Sequence, residues 1–242
     1  MISVKNITKT FGNLTAVDQV SFDVKEGDLF SFLGPNGAGK TTTIKMLVGL
    51  MRPDQGTILI DGQDIQQDPI DVKRKIGYVP DAPYLYDKLT GLEFFDVMGH
   101  IFQMKHHEIH SQLKYYRERL EMGDWLDERI EGYSRGMKQR VVFATAFFHR
   151  PRIMIIDEPM VGLDPKTARI IKELLRETAH NGVAVFLSTH NLNVAEELSN
   201  KIAIINRGAL LGTGPIDDFR KRSHSIGSLE EMFLDIIEKE DH

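Results

Sequence analysis

The run Gly34-Pro35-Asn36-Gly37-Ala38-Gly39-Lys40-Thr41 constrains this chain more than any other stretch. It fits the pattern G-x-x-x-x-G-K-[ST], and it lies between an apolar run, Leu29-Phe30-Ser31-Phe32-Leu33, and a segment of helical character from Thr41 to about Leu50. Glycines in such a loop let the backbone curl until successive N–H groups face one anion, and the start of the following helix adds the positive end of its dipole. Lys40 then reaches β- and γ-phosphates, the Thr41 hydroxyl can ligate Mg²⁺, and Thr42 can donate to an α-phosphate. The turn Pro53-Asp54-Gln55-Gly56 leads into a further strand from Thr57 to Ile60. Strand, glycine loop, helix and strand in that order predict an α/β fold around a largely parallel sheet.

A second segment supplies the acid and base chemistry that phosphate cleavage needs. In Ile153-Met154-Ile155-Ile156-Asp157-Glu158-Pro159 an apolar strand delivers two carboxylates at its C-terminal end, where ligands gather in open α/β sheets. Asp157 is placed to hold Mg²⁺ through water, and Glu158 to orient and deprotonate an attacking water.

The remaining chain frames these two segments. Ser3 to Phe11 and Val20 to Val24 alternate as strands, forming an N-terminal antiparallel β portion. From Thr90 to about Leu126 the strand signal gives way to apolar residues at helical spacing, among them Leu92, Phe95, Leu113, Tyr116 and Leu120. Val183 to Leu187 is another continuously apolar strand, of the kind covered on both faces. Lys201 to Asn206, Arg207-Gly208 and Ala209 to Gly212 predict a closing hairpin, and Pro215 a helix start. After a polar stretch, Ser228-Leu229-Glu230-Glu231 has the form of a capping box for a terminal helix. His106 and His110 would share a helical face, but beside Lys105 and Glu108 the pattern predicts a solvated surface, and Trp125 a packing residue.

Composition excludes several chemistries. Cysteine is absent, which removes disulfides, thiolate zinc sites and cysteine nucleophiles. A net charge of -5 gives no support for binding a nucleic-acid backbone. The longest apolar run, Val141 to Phe148, falls far short of the roughly 20 residues a membrane span needs, and the N-terminus lacks a signal pattern. A membrane role therefore requires a partner that supplies the span.

With these motifs in order, the sequence resembles the nucleotide-binding domain of ABC transporters along almost its whole length. Gly162-Leu163-Asp164-Pro165 follows Glu158 as the family's D-loop does, Ser188-Thr189-His190 resembles its histidine switch, and Phe11 matches the aromatic that stacks on adenine. Tyr133-Ser134-Arg135-Gly136-Met137 resembles the signature L-S-G-G-Q, with Ser134 and Gly136 retained and Tyr133, Arg135 and Met137 as departures. Asp81, in Gly77-Tyr78-Val79-Pro80-Asp81, stands where the family has a glutamine linking the Mg²⁺ site to the helical subdomain and membrane partner.

The resemblance implies a P-loop NTPase (RecA-like) core sheet with an N-terminal antiparallel β portion and a helical subdomain near 90–145. The domain would span 1–215, with a C-terminal helical extension at 216–242. It implies ATP and Mg²⁺ as ligands, held by Phe11, Gly34, Pro35, Asn36, Gly37, Ala38, Gly39, Lys40, Thr41, Thr42, Asp81, Asp157 and Asp164, with Thr41, Asp81 and Asp157 toward the metal. Glu158, His190 and Lys40 would be catalytic, while Ser134 and Gly136 would contact ATP bound to the opposite subunit. The implied partners are a second nucleotide-binding subunit, identical or paralogous, and a separate transmembrane permease, with no nucleic acid. The implied location is cytoplasmic, peripheral at the inner face of the cell membrane. Ser-Arg-Gly-Met-Lys-Gln and the terminal Ser-Leu-Glu-Glu-Met-Phe resemble exporter-type members. Two other classes fit an ATPase module: a soluble ATPase of translation or DNA maintenance, which usually carries tandem modules or long coiled-coil insertions, and a nucleotide-binding regulator without turnover.

Overall fold

The strand that enters the glycine loop is buried along its whole length, and the fold is organised around it. The computed structural model describes residues 1–82, 84–223, 230, 231 and 233. At the N-terminus β1 (Ile2–Phe11) and β2 (Leu14–Val24) pair antiparallel, and β4 (Gln55–Ile60) and the short β5 (Gln63–Asp64) complete a four-stranded sheet in the order β2-β1-β4-β5. A second, six-stranded sheet contains β3 (Leu29–Leu33), β6 (Ile76–Val79), β7 (Ile153–Asp157), β8 (Ala184–Thr189), β9 (Lys201–Asn206) and β10 (Ala209–Pro215). Its order is β10-β9-β3-β8-β7-β6, all parallel except β10. The α/β fold with an antiparallel N-terminal portion is the one expected.

Period-two alternation divides the sheet's apolar residues between two cores. Ile153, Ile155 and Phe186 face the antiparallel sheet and α1 (Lys40–Leu47), whereas Met154, Ile156, Val185 and Leu187 face the helical side. Phe22 of β2 closes the first core by stacking on Phe30 and Phe186 at centroid distances of 5.4 and 5.6 Å. Such pairs contribute about 0.5–1.5 kcal/mol each beyond the area they bury, so this cluster binds the two sheets together.

The second core is closed by α3 (Gly91–Ile101), α4 (His106–Arg119) and α5 (Arg135–Phe148), which form the expected helical subdomain. Thr90 starts α3 with a capping box: its hydroxyl accepts from Glu93 N at 3.1 Å while its own N–H donates to Glu93 Oε2 at 2.8 Å. Trp125 packs edge-on against Tyr133, as a packing residue should. His106 and His110 do share a face of α4, with Nε2 atoms 3.0 Å apart. Among the described residues no three His, Asp or Glu side chains converge on a metal position.

Several boundaries differ from expectation. β2 begins at Leu14, not Val20, and α1 runs one residue earlier and stops at Leu47. Pro215 does not open a helix: it is the last residue of edge strand β10, paired with Lys201, and α8 (Ile216–Ser223) starts after it. An edge strand tolerates the missing N–H of proline. Besides β5 and β6, the pattern left α2 (Pro69–Lys73), α6 (Pro165–His180) and α7 (Leu192–Leu198) unassigned. The expected terminal helix lies outside the described residues apart from Glu230, Glu231 and Phe233. No helix of the described residues is long and apolar enough to cross a membrane.

His149 joins the end of α5 to the sheet. Its ring stacks on Phe102 at 3.7 Å, and Nε2 donates to Ile76 O at 3.1 Å, while Nδ1 is buried without a partner among the described residues. Burial therefore pushes its pKa down from 6.5 to about 4. The native state then keeps His149 neutral where the unfolded chain takes up a proton, so stability is full above pH 6.5 and declines as the pH falls toward 4. Urea unfolding at pH 7 and pH 4.5 should show His149→Gln losing about 2–3 kcal/mol less than the parent over that interval.

Candidate active site

The C-terminal ends of three adjacent parallel strands bring the loop and the carboxylates together. β3 pairs with β8 up to Leu33 and Thr189, and β7 pairs with β8 up to Asp157 and Ser188. The chain leaves β3 through the glycine loop, where Gly37 and Gly39 have φ of 81° and 104°. A Cβ at residue 39 would fall 2.5 Å from Ala16 O, so both the left-handed backbone and the close packing demand glycine. Gly39 is also the N-cap of α1 and brings no side-chain cap, which leaves the first-turn N–H groups for an anion.

Lys40 is nearly buried and lies along the loop, donating from Nζ to Gly34 O at 2.8 Å and Pro35 O at 3.1 Å. The same nitrogen is 3.6 Å from Glu158 Oε1. Beside it the Thr41 hydroxyl donates to Asp157 Oδ2 at 3.0 Å, and the Ser188 hydroxyl donates to the other oxygen, Oδ1, at 2.5 Å. Burial raises the Asp157 carboxyl above its ordinary range despite these two hydrogen bonds, and the charges of Asp81 and Glu158 add to the rise. Tyr78 is pushed up to about 12 by burial first and then by Asp157 and Asp81. Asp81 is exposed and acts on both groups through its charge.

Glu158 leaves β7 in a left-handed conformation, φ 50°, with its N–H directed at Ser188 O and Oγ. Its carboxylate lies between Lys40 and His190, whose Nδ1 is 2.9 Å from Oε1. Loop, lysine, two carboxylates and histidine thus meet in one place, as expected. Thr41 and Asp157 supply two oxygen donors side by side, a set that suits Mg²⁺, which commonly retains water and substrate phosphate oxygens beside one or two carboxylates. Ser188 is part of the quoted Ser-Thr-His triplet, yet its hydrogen bonds to Asp157 and Glu158 come from strand register, which no local spacing reveals.

Other expected residues stand apart. Phe11 is 47% exposed at the end of β1, with Lys9 Nζ 5.7 Å from its ring centroid. Ser134 is the N-cap of α5, and its hydroxyl accepts from Met137 N at 3.3 Å within its own helix. Around Gly136 an added Cβ would meet nothing within 4 Å. Asp164, expected at the nucleotide, caps α6: it accepts from Thr167 N at 2.9 Å and Thr167 Oγ1 at 2.6 Å. Those two hydrogen bonds hold its pKa down at about 2.

The family model described as ABC transporter matches residues 17–161. The chain belongs to the ABC transporter family. It is an ABC-type ATPase. The linearmycin resistance ATP-binding protein LnrL of Bacillus subtilis (strain 168) is 34% identical over 97% of this chain and 78% of its own length. A solved ATP-binding subunit of an ABC transporter superposes with a TM-score of 0.92 at 31% identity, covering 98% of this chain and 99% of that one. A dimeric ATP-binding cassette in a post-hydrolysis state, bound to ADP and Pi, gives 0.81 at 27% identity over 89% and 99% of the two chains.

In this ABC subunit the departure at Tyr133 has a structural use. Its buried hydroxyl accepts from Gly91 N at 3.1 Å and donates to Glu128 O at 3.0 Å, tying the start of the signature segment to the start of α3. A Cβ at residue 91 would fall 2.6 Å from that hydroxyl oxygen. Tyr133→Phe leaves a buried N–H and a carbonyl unpaired, and urea titration should show a loss of about 1–3 kcal/mol.

Proposed function

We propose that this chain is the ATP-hydrolysing subunit of an ABC membrane exporter, working as a head-to-tail dimer with two ATP molecules at the interface. The observation that carries the reading is the placement of Glu158 between Lys40 and His190 at the mouth of the glycine loop. In this role the loop N–H groups and Lys40 bind the β- and γ-phosphates, and Phe11 offers its exposed ring to adenine. Glu158 accepts a proton from the water that attacks the γ-phosphorus, His190 fixes the carboxylate, and the bond to the leaving ADP oxygen breaks. Mg²⁺, held by Thr41 and Asp157 with Asp81 close by, would supply charge neutralisation on the phosphate oxygens.

The open surroundings of Ser134 and Gly136 support the dimer. They lie at the N-terminus of α5, where backbone N–H groups and the helix dipole favour an anion, and their own subunit's loop does not occupy them. The membrane partner is supported by an apolar groove of about 510 Å³ between the β6 edge and the helical subdomain. Leu50, Ile70, Tyr84 and Ile101 line it and are each more than half exposed. Among the described residues its charged lining groups are Lys73 and Arg74, the latter 3.5 Å from Asp71, and Lys73 leaves a cationic rim that fits an amphipathic permease segment with an acidic end. The likeness to a linearmycin resistance protein and the signature variant support export. Net charge gives no support to a nucleic-acid partner.

Glu158→Gln keeps size and hydrogen bonding but removes the base, so ATP should still bind while phosphate release falls about 100-fold or more. An ATP-trapped dimer should then accumulate in gel filtration. Ser134→Arg should leave ATP binding to the monomer unchanged and abolish that dimer in the Glu158→Gln background. Loss of nucleotide affinity by the monomer itself would contradict a contact made across the interface.

A further inference from the structure

Two arginines of α5 lie against the segment that leads away from Glu158. This segment is turned sharply, with Glu158 at φ 50° and Gly162 at φ 78°, and it ends where Asp164 caps α6. Arg135, the first residue of α5, lies against Gly162 so closely that a Cβ there would fall 2.5 Å from its Nε and 2.7 Å from its Cζ. Arg140, five positions further on, donates to Thr167 Oγ1 from Nε at 3.2 Å and from Nη2 at 2.6 Å, and its Nη1 donates to Glu121 O at 3.3 Å. Arg140 Nη2 also lies 3.5 Å from Asp164 Oδ2.

Thr167 is the centre of this network. Its side chain is buried, its hydroxyl gives its one proton to Asp164 Oδ2 at 2.6 Å, and its lone pairs receive Arg140. Cation, hydroxyl and carboxylate form a continuous charge-assisted chain that fixes the far end of the segment to α5. The near end is held at its N–H by Ser188, while the residues that follow Glu158 run directly to this anchorage. A left-handed glutamate is held in an unfavourable conformation and persists only where surrounding structure imposes it.

We propose that Arg135 and Arg140 are positioning residues for hydrolysis: they clamp the Glu158–Thr167 segment to α5 and thereby set the direction of the Glu158 carboxylate. This inference rests on the reading of Glu158 as the base and of Ser134 and Gly136 as the contact to the opposite nucleotide. Under it, α5 carries the engagement of ATP in the partner's site to the hydrolytic group of its own subunit.

The test is steady-state ATPase kinetics on the full-length protein for Arg140→Gln, Thr167→Val, their combination, Thr167→Ser and Arg135→Ala, with the melting temperature of each. Arg140→Gln and Thr167→Val should each lower kcat about ten-fold with KM for ATP within about two-fold, and the double variant should be no slower than either. Thr167→Ser, which keeps the hydroxyl, should retain the parent rate, and Arg135→Ala should lower kcat about three-fold. Unchanged kcat in folded Thr167→Val would overturn the clamp, as would multiplied losses in the double variant or a raised KM at constant kcat. Thr167→Val preserves side-chain shape and decides the matter if Arg140→Gln does not fold. Glu158→Gln run alongside separates the two ideas: if it is inactive while the clamp variants are normal, only the clamp fails. If it hydrolyses ATP at the parent rate, the assignment of the base fails.

Discussion

The parallel pairing of β7 with β8 sets Asp157 opposite Ser188, and the chemistry of this subunit depends on that register. Ser188 satisfies one oxygen of the buried Asp157, leaving the other to Thr41, and it receives the N–H of Glu158 at the point where the chain turns out of the strand. A slip of one residue would turn every side chain of β7 to the opposite face, sending Ile156 to the site and Asp157 into an apolar core. The two hydrophobic layers, divided residue by residue along β7 and β8, make such a slip prohibitively unfavourable.

Lys40 shows how a buried cation is kept ready. Its ammonium is satisfied by two loop carbonyls and the nearby Glu158 carboxylate, so it is neither stranded nor bound to a single partner. A triphosphate entering the loop offers the same group more negative oxygens, and the exchange would free the glutamate to work with His190. In the proposed role of Glu158 as base, such competition for one cation would link substrate binding to its availability without a large backbone movement.

The loop around Lys40 and the Asp157-Glu158 pair were legible because their chemistry is local: neighbours in sequence act on the same ligand. The parallel sheet was legible from runs such as Leu29 to Leu33, apolar at every or nearly every position because both faces are covered. β6 escaped because four residues between Lys75 and Pro80 are too few to display a period. Asp164 was placed at the nucleotide by its motif, while its helix-capping bonds to Thr167 mark an equally ordinary use of aspartate before proline. Tyr133 with Gly91 and Arg135 with Gly162 could not be found by spacing, since each joins segments that only the folded chain brings together.

The central strand β3 takes its parallel neighbours from far down the chain, with Leu29 beside Val185 and Phe30 beside Lys201. On a translating ribosome the glycine loop therefore emerges long before the strands that hold it. At ordinary elongation rates the gap of about 150 residues lasts roughly 8–30 seconds. Throughout that interval Phe30, Phe32 and Leu33 lack the cover that Phe186, Ala203 and Ile204 later bring, exposing the kind of surface that holding chaperones bind. Nascent chains halted before β8 would lack the strand that braces both the loop and Asp157, so competence to bind nucleotide should arise late and abruptly in synthesis.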